Sequence, residues 1–242
     1  MDKAKDVYRK ESRNGVVIVT RHQYAGRGRI AARTWFDTPD QSLMMTLVLA
    51  RDTMTFPLQQ LPLRSGVAIA SFLGEEYHLE VKIKWPNDIL VHGKKISGIL
   101  CESSGNAVYV GIGLNCCQNS FSYVDHQHSS REPTSIVMEG REAAEPLDLL
   151  QGLLVSLSET FRDNHWKRYL EDHLYLRNCP VAFLPGEAYE RRECVSESDW
   201  VFGVVTGVDD QGGIIIEQKG WSQSWYSGEL KEYPAKEEGG DG

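Results

Sequence analysis

KWPNDILVHGKKISGIL, residues 84–100, is the stretch from which the fold can be read. Just ahead of it, Val81, Ile83 and Trp85 alternate with Lys82 and Lys84. That period of two marks a strand with one apolar face and one wet or functional face. Pro86-Asn87 reads as a turn, and the apolar run 88–91 as the strand's continuation. His92-Gly93 is a second turn, and residues 96–102 read as the returning strand. Ser104-Gly105-Asn106 turns the chain again into a strand over 108–115. The spacing predicts an antiparallel meander.

Outward from this meander the pattern is α+β. Residues 16–20 (VVIVT) and 42–50 (SLMMTLVLA) read as buried strands. Residues 62–73 carry apolar side chains at helical spacing behind Pro62, and Gly74 is read as the helix end. Pro146 opens a leucine-rich helix bearing Leu147, Leu150, Leu153, Leu154, Leu157 and Phe161, and the pattern persists through Trp166 and Leu170 as a second helix. Beyond Arg177 the composition changes to short β runs over 181–184, 201–208, 214–217 and 224–230, with a hairpin turn at 209–213. The expected organisation is a main domain over 1–176, a small β domain over 177–235 and a disordered tail over 236–242.

With 242 residues, 41% apolar and 25% charged, the chain has the composition of a globular protein. It has no apolar run long enough for a membrane span and no signal core near Met1, so a cytoplasmic location is expected, with no membrane partner. The five cysteines lack zinc spacing and read as reduced structural thiols. A net charge of −8 removes the global field of a nucleic-acid binder, so any positive site must be local and DNA is not an expected partner.

Three segments have the residue types for chemistry. Residues 22–35, HQYAGRGRIAARTW, follow the first strand. Gly26 and Gly28 let backbone N–H groups approach an anion, while Arg27, Arg29 and Arg33 add permanent charge suited to phosphate. Neither a P-loop nor a G-x-G-x-x-G dinucleotide spacing is present. The same composition suits a solvated basic loop, or an RNA-binding loop that the acidic balance disfavours. In the opening stretch, Lys82 and Lys84 share a strand face, and Lys95 lies seven residues beyond Asp88, across the hairpin. An acid beside an amide suits Mg²⁺, and a returning lysine suits the neutralisation of two anions; a charged, soluble hairpin tip is the plain alternative. In VGIGLN, residues 110–115, Gly111, Gly113 and Asn115 share one face, which marks close approach by a ligand or simply tight packing.

Taken in order, Gly-Arg-Gly-Arg after a strand, Lys-Trp-Pro-Asn-Asp, Lys-Ile-Ser-Gly-Ile-Leu and Gly-Ile-Gly-Leu-Asn resemble the motif series of biotin–protein ligases. The resemblance is strong over 16–115 and continues weakly through Pro133-Thr134-Ser135-Ile136 and the terminal β module. It implies the biotin–lipoate ligase catalytic fold, like that of class II aminoacyl-tRNA synthetases: a mixed, largely antiparallel sheet with helices on one side, plus a small C-terminal barrel-like module. It implies biotin and MgATP as substrates, biotinyl-5'-AMP as intermediate, and a lysine of a biotin carboxyl carrier domain as acceptor. Gln23, Gly26, Arg27, Gly28, Lys95 and Gly98 are implied on the biotin side. Arg29, Arg33, Trp35, Lys84, Asn87 and Asn115 are implied on the nucleotide side. Lys95, Arg29 and Asp88 are the implied catalytic groups, with Asp88 also the metal candidate. Residues 16–19 and 96–100 are expected to wall the biotin slot, and residues 27–35 to fold over the intermediate.

Two departures from the pattern stand out. The family's opening strand and Ser-Thr pair precede the point matched by Met1, and residues 1–10 resemble the helix that follows, so either an upstream start or weaker biotin binding is expected. Ala32 stands where the loop usually has glycine. No helix-turn-helix segment is present, so a ligase without a DNA-binding domain, as monomer or homodimer, is the expectation. The competing readings are lipoate or octanoate transfer on the same fold, and a degenerate protein that binds biotin or adenylate without catalysis.

Overall fold

The computed structural model describes residues 1–29, 34–35, 38–121, 131–186 and 195–233. The helix α1 (Asp2–Glu11) leads into strands β1 (Val16–Thr20) and β2 (Ser42–Ala50). The helix α2 (Leu61–Tyr77) follows, then β3 (Val81–Lys84), β4 (Asp88–Val91), β5 (Lys94–Ser104) and β6 (Ala107–Asn115). These six strands form one sheet in the order β1-β2-β6-β5-β4-β3. Every strand pair in it is antiparallel. The mixed sheet expected from the resemblance is therefore corrected to an antiparallel one; among the described residues parallel pairing occurs as isolated bridges such as Lys95 with Pro133.

Residues 81–91 are two strands rather than one. The chain reverses at Pro86-Asn87, so that Lys84 faces Asp88 across the β3–β4 turn. Alternation alone does not separate a continuing strand from a tight hairpin. β1 is likewise half-buried at the sheet edge, not fully buried.

One face of the sheet carries the main apolar core. Leu43, Met45, Leu47, Ile83, Ile89, Ile96, Val110 and Ile112 meet Leu63, Val67, Ala70 and Leu73 of α2. The helix α3 (Leu149–Arg162) packs behind, burying Leu149, Leu153 and Leu157 at helical spacing, and α4 (Trp166–His173) adds Trp166 and Leu170. α2 runs past Gly74 and stops at His78 in the left-handed region, because the apolar contacts continue beyond the glycine. α3 starts three residues after Pro146, and Leu147 is exposed. α1 lies on the opposite face, where Ala4 packs with Val48, Ala107 and Tyr109. The helices are thus not all on one side. α1 is short and polar, with one fully buried residue, so its sequence gave no sign of which face it covers.

Strands β7 (Pro180–Pro185), β8 (Val201–Val208), β9 (Ile214–Gln218), β10 (Trp221–Trp225) and β11 (Gly228–Glu232) form a second sheet, ordered β10-β9-β8-β7-β11. Among the described residues it is open, and the barrel-like expectation is corrected accordingly. The run read as one strand over 224–230 is split by a turn between β10 and β11. Val181, Phe183, Val205, Ile216 and Leu230 belong to the same core cluster as the first sheet. The Trp85 indole donates to Gly212 O at 3.0 Å and Gln60 Nε2 to Asp210 O at 2.6 Å, tying the β8–β9 turn to the larger sheet. The predicted tail, 236–242, lies outside the described residues. Among the described residues no helix is long and apolar enough to cross a membrane.

Candidate active site

A cavity of about 510 Å³ opens on the α1 side of the first sheet. Its floor is made by alternate residues: Met44 and Thr46 of β2, Gly98 and Leu100 of β5, and Gly111, Gly113 and Asn115 of β6. The side chains between them point into the helical core. Gly98 and Gly113 are register partners on neighbouring strands. Their missing Cβ atoms leave a bare strip of backbone against which a flat group can lie. Trp35 lies there. A Cβ on Gly98 would fall 2.9 Å from the indole Cζ3, and one on Gly113 would fall 2.7 Å from Cε2. The indole N–H is buried and has no hydrogen-bond partner among the described residues.

The arginine loop forms the roof. Arg27 pairs with Thr34 in an antiparallel bridge, and Trp35 N donates to Gly26 O at 3.1 Å. Gly26 is needed at this closure, because a Cβ would lie 2.3 Å from the Trp35 carbonyl oxygen. Gln23, Arg27, Gly28 and Arg29 all line the cavity. Arg27 Nη2 donates to Asp2 at 2.8 Å, which holds the Asp2 carboxyl below its ordinary value and anchors one arm of the loop to α1. Arg29 Nη2 donates to Gly228 O at 2.8 Å, joining the loop to β11. Arg33 and Ala32 lie outside the described residues.

The hairpin supplies the opposite wall. A register shift between β4 and β5 sets Asp88 opposite Gly98 and Lys95 opposite Leu90. Lys95 Nζ stands 2.6 Å from Asp88 Oδ1 and 5.6 Å from the Trp35 ring centre. Asn87 Nδ2 donates to Ile99 O at 2.8 Å, which leaves the amide oxygen as its acceptor group. Asn115 is buried and donates to Thr134 O at 2.9 Å, beside the segment that pairs with Lys95. Of the expected slot walls, Ile18, Gly98 and Leu100 face the cavity, whereas the side chains of Val17, Val19, Ile96 and Ile99 pack into the core.

One implied nucleotide residue is elsewhere. Lys84 is buried on β3 and does not line the cavity; the Glu232 carboxyl, held below its ordinary value first by the hydrogen bond from Arg131 and then by that from Tyr175, also feels the Lys84 charge. Arg131 and Phe121, which sequence reading passed over, do line it. Both sit in a polar stretch without periodicity, so no pattern singled them out. Among the described residues no cluster of three or more His, Cys, Asp or Glu side chains could hold a metal. Asp88 with the Asn87 amide fits a magnesium ion bound mainly through substrate phosphates and water, which asks one or two carboxylates of the protein.

Residues 3–119 match the family described as "Biotin/lipoate A/B protein ligase family". A biotin–[acetyl-CoA-carboxylase] ligase of Paracoccus denitrificans is 31% identical over 210 residues, covering 82% of each chain. The chain belongs to the biotin/lipoate A/B protein ligase family. The bifunctional ligase/repressor BirA of Bacillus subtilis is 27% identical over 222 residues, covering 90% of this chain and 66% of that protein. The chain thus spans about two thirds of the length of that ligase/repressor. Among solved structures, a biotin protein ligase from Aquifex aeolicus in complex with biotin and ATP superposes with a TM-score of 0.73 at 25% identity, covering 90% and 89% of the two chains. The family's ligase fold accounts for both sheets, since that superposition extends across nearly the whole chain.

Proposed function

We propose that this chain joins biotin to ATP as biotinyl-5'-AMP and passes the biotinyl group to a lysine of a biotin carboxyl carrier domain. The observation that carries the reading is convergence. Lys95, Asp88, the arginine loop and the glycine strip all face one cavity.

In the first step a carboxylate oxygen of biotin attacks the α-phosphorus in line. The Pα–O–Pβ bridge breaks and pyrophosphate leaves. Two anions must approach, and the Lys95 ammonium lies between the glycine floor and the Asn87-Asp88 corner, where it can neutralise both. Apolar contacts from Ile18, Met44 and Leu100 suit the valeryl chain and bicycle, and Gln23 and Thr20 supply polar anchors. Arg29 faces the developing phosphate charge. Asp88 and Asn87 would hold magnesium, which shields the phosphate oxygens when bound. The loop roof and Trp35 exclude water from an acyl-adenylate that would otherwise hydrolyse. In the second step the acceptor amine attacks the acyl carbon, forms the amide and releases AMP, with Asp88 orienting the amine.

The test is incubation with ATP, magnesium, biotin and a carboxyl carrier domain, read as a biotin mass shift on the carrier. Transfer of lipoate instead of biotin, or no transfer alongside intact biotin binding, would overturn the reading.

A further inference from the structure

We propose that Arg131 is a phosphate ligand for the nucleotide in this cavity and that Glu232 and Tyr175 are its positioning residues. The inference rests on the nucleotide-activating reading above and names a residue that reading does not use.

Arg131 lines the cavity beside the hairpin wall. Its backbone position is set by that wall. Lys95 N donates to Glu132 O at 2.8 Å and Thr134 N to Lys95 O at 2.9 Å, so the segment carrying Arg131 runs along β5 at Lys95. Arg131 and Lys95 therefore enter the same end of the cavity from adjacent backbone segments. The side chain is only 17% exposed and is held from several directions. Nη1 donates to Gly93 O at 3.1 Å, and Nη2 to Glu232 Oε1 at 2.8 Å. The guanidinium carbon sits 4.6 Å from the centre of the Tyr175 ring. The Tyr175 hydroxyl donates to the same Glu232 oxygen. Arg131 and Tyr175 together keep the Glu232 carboxyl below its ordinary value, so the anchor stays charged.

A long flexible cation costs entropy to immobilise on a ligand, and this arginine is already immobilised. A planar fork clamped by a carboxylate and a ring keeps one orientation, which suits recognition of a phosphate oxygen. A nucleoside triphosphate carries several negative charges and needs several cations. Lys95, Arg27, Arg29 and Arg131 all line the cavity, with Lys95, Arg27 and Arg131 each held beside one carboxylate, Asp88, Asp2 and Glu232. β11 holds both Arg29 and Arg131, one through the Gly228 carbonyl and one through Glu232. The rival account is a strut: an ion pair that joins two segments of the fold and touches no substrate.

Titration calorimetry with α,β-methylene-ATP in the presence of biotin separates the two, because this analogue cannot be cleaved at the Pα–Pβ bridge. Arg131→Ala is expected to weaken the analogue by about tenfold or more, with biotin affinity within about twofold of wild type. Arg131→Lys keeps the charge without the fork and should fall between. Glu232→Gln should weaken the analogue by roughly two- to fivefold, since it loosens the arginine without removing it. A strut predicts a lowered melting temperature with both affinities unchanged or equally reduced, and either result overturns the proposal. Biotin-dependent pyrophosphate exchange on the wild type is read in parallel. Analogue binding without exchange sinks the ligase reading alone; exchange with unchanged analogue affinity in Arg131→Ala sinks this inference alone.

Discussion

Gly98 and Gly113 face each other across β5 and β6, and the Trp35 indole lies over both. Neither position carries a side chain, so the cavity floor there is bare backbone with the indole against it. Gly98→Val puts two methyl groups into the strip, starting from a Cβ 2.9 Å from Trp35 and 3.1 Å from Lys95 Nζ. A β-branched residue suits a strand, so the sheet is kept while the indole and the lysine chain give way. The expected result is a rise of at least about tenfold in KM for biotin with the folded structure retained by circular dichroism. A wild-type KM in this variant would mean that the ligand lies elsewhere.

Lys95→Ala removes the cation between the proposed reacting groups and leaves Asp88 facing the substrate carboxylate. Biotin-dependent pyrophosphate exchange should fall by at least about a hundredfold, the scale of deleting one preorganised electrostatic contact. Circular dichroism should be unchanged, because the pair sits at the cavity wall and not in the apolar core. Exchange at the wild-type rate would remove Lys95 from the mechanism.

Arg64 offers a contrasting case, buried and remote from the site. Its guanidinium lies between Phe56 at 4.3 Å and Trp166 at 4.7 Å, and it donates to Gln60 Oε1, Thr160 O and Asp163 O. Arg64→Ala strands those acceptors and opens a cavity. A loss of about 3 kcal/mol, or on the order of 10 °C in melting temperature, is expected, with the remaining folded protein keeping its substrate KM values. A shift in KM without a shift in melting temperature would contradict a purely structural role.

Burial pushes the Cys116 thiol up to about 12 from an ordinary 9.0. At pH 8 roughly one molecule in ten thousand carries the thiolate there, so a disulfide reagent should leave Cys116 unmodified until the chain is unfolded, while exposed Cys179 reacts. The folded chain holds this proton more tightly than the unfolded one. The contribution to stability is therefore full below the ordinary value and is lost as pH rises from about 9 toward 12. Denaturant midpoints measured across that range should fall with pH, and a flat profile in wild type and Cys116→Ala alike would refute the assignment.

The meander was legible because alternation survives wherever one sheet face is buried, and the Asp88–Lys95 meeting because seven residues across a two-residue turn return the chain beside itself. The glycine strip was legible as a shared strand face. The surroundings of Lys84 were not legible, because its charge acts on Glu232 of the second sheet and no local spacing encodes that. Arg131 was invisible for a related reason: its meaning depends on Glu232, a hundred and one positions later, and no local spacing encodes that. The side on which α1 packs was equally hidden, since a single alanine decides it.

The apolar cluster that passes without interruption from α2 and α3 through the first sheet to Phe183, Ile216 and Leu230 has a mechanical consequence. Clipping the backbone near Arg177 would not yield two self-sufficient pieces, because each half would present a raw hydrophobic scar to solvent. Heating should accordingly dismantle the whole chain in one calorimetric peak, and the strand that holds Arg29 and Arg131 should come away at the same moment as the cavity floor.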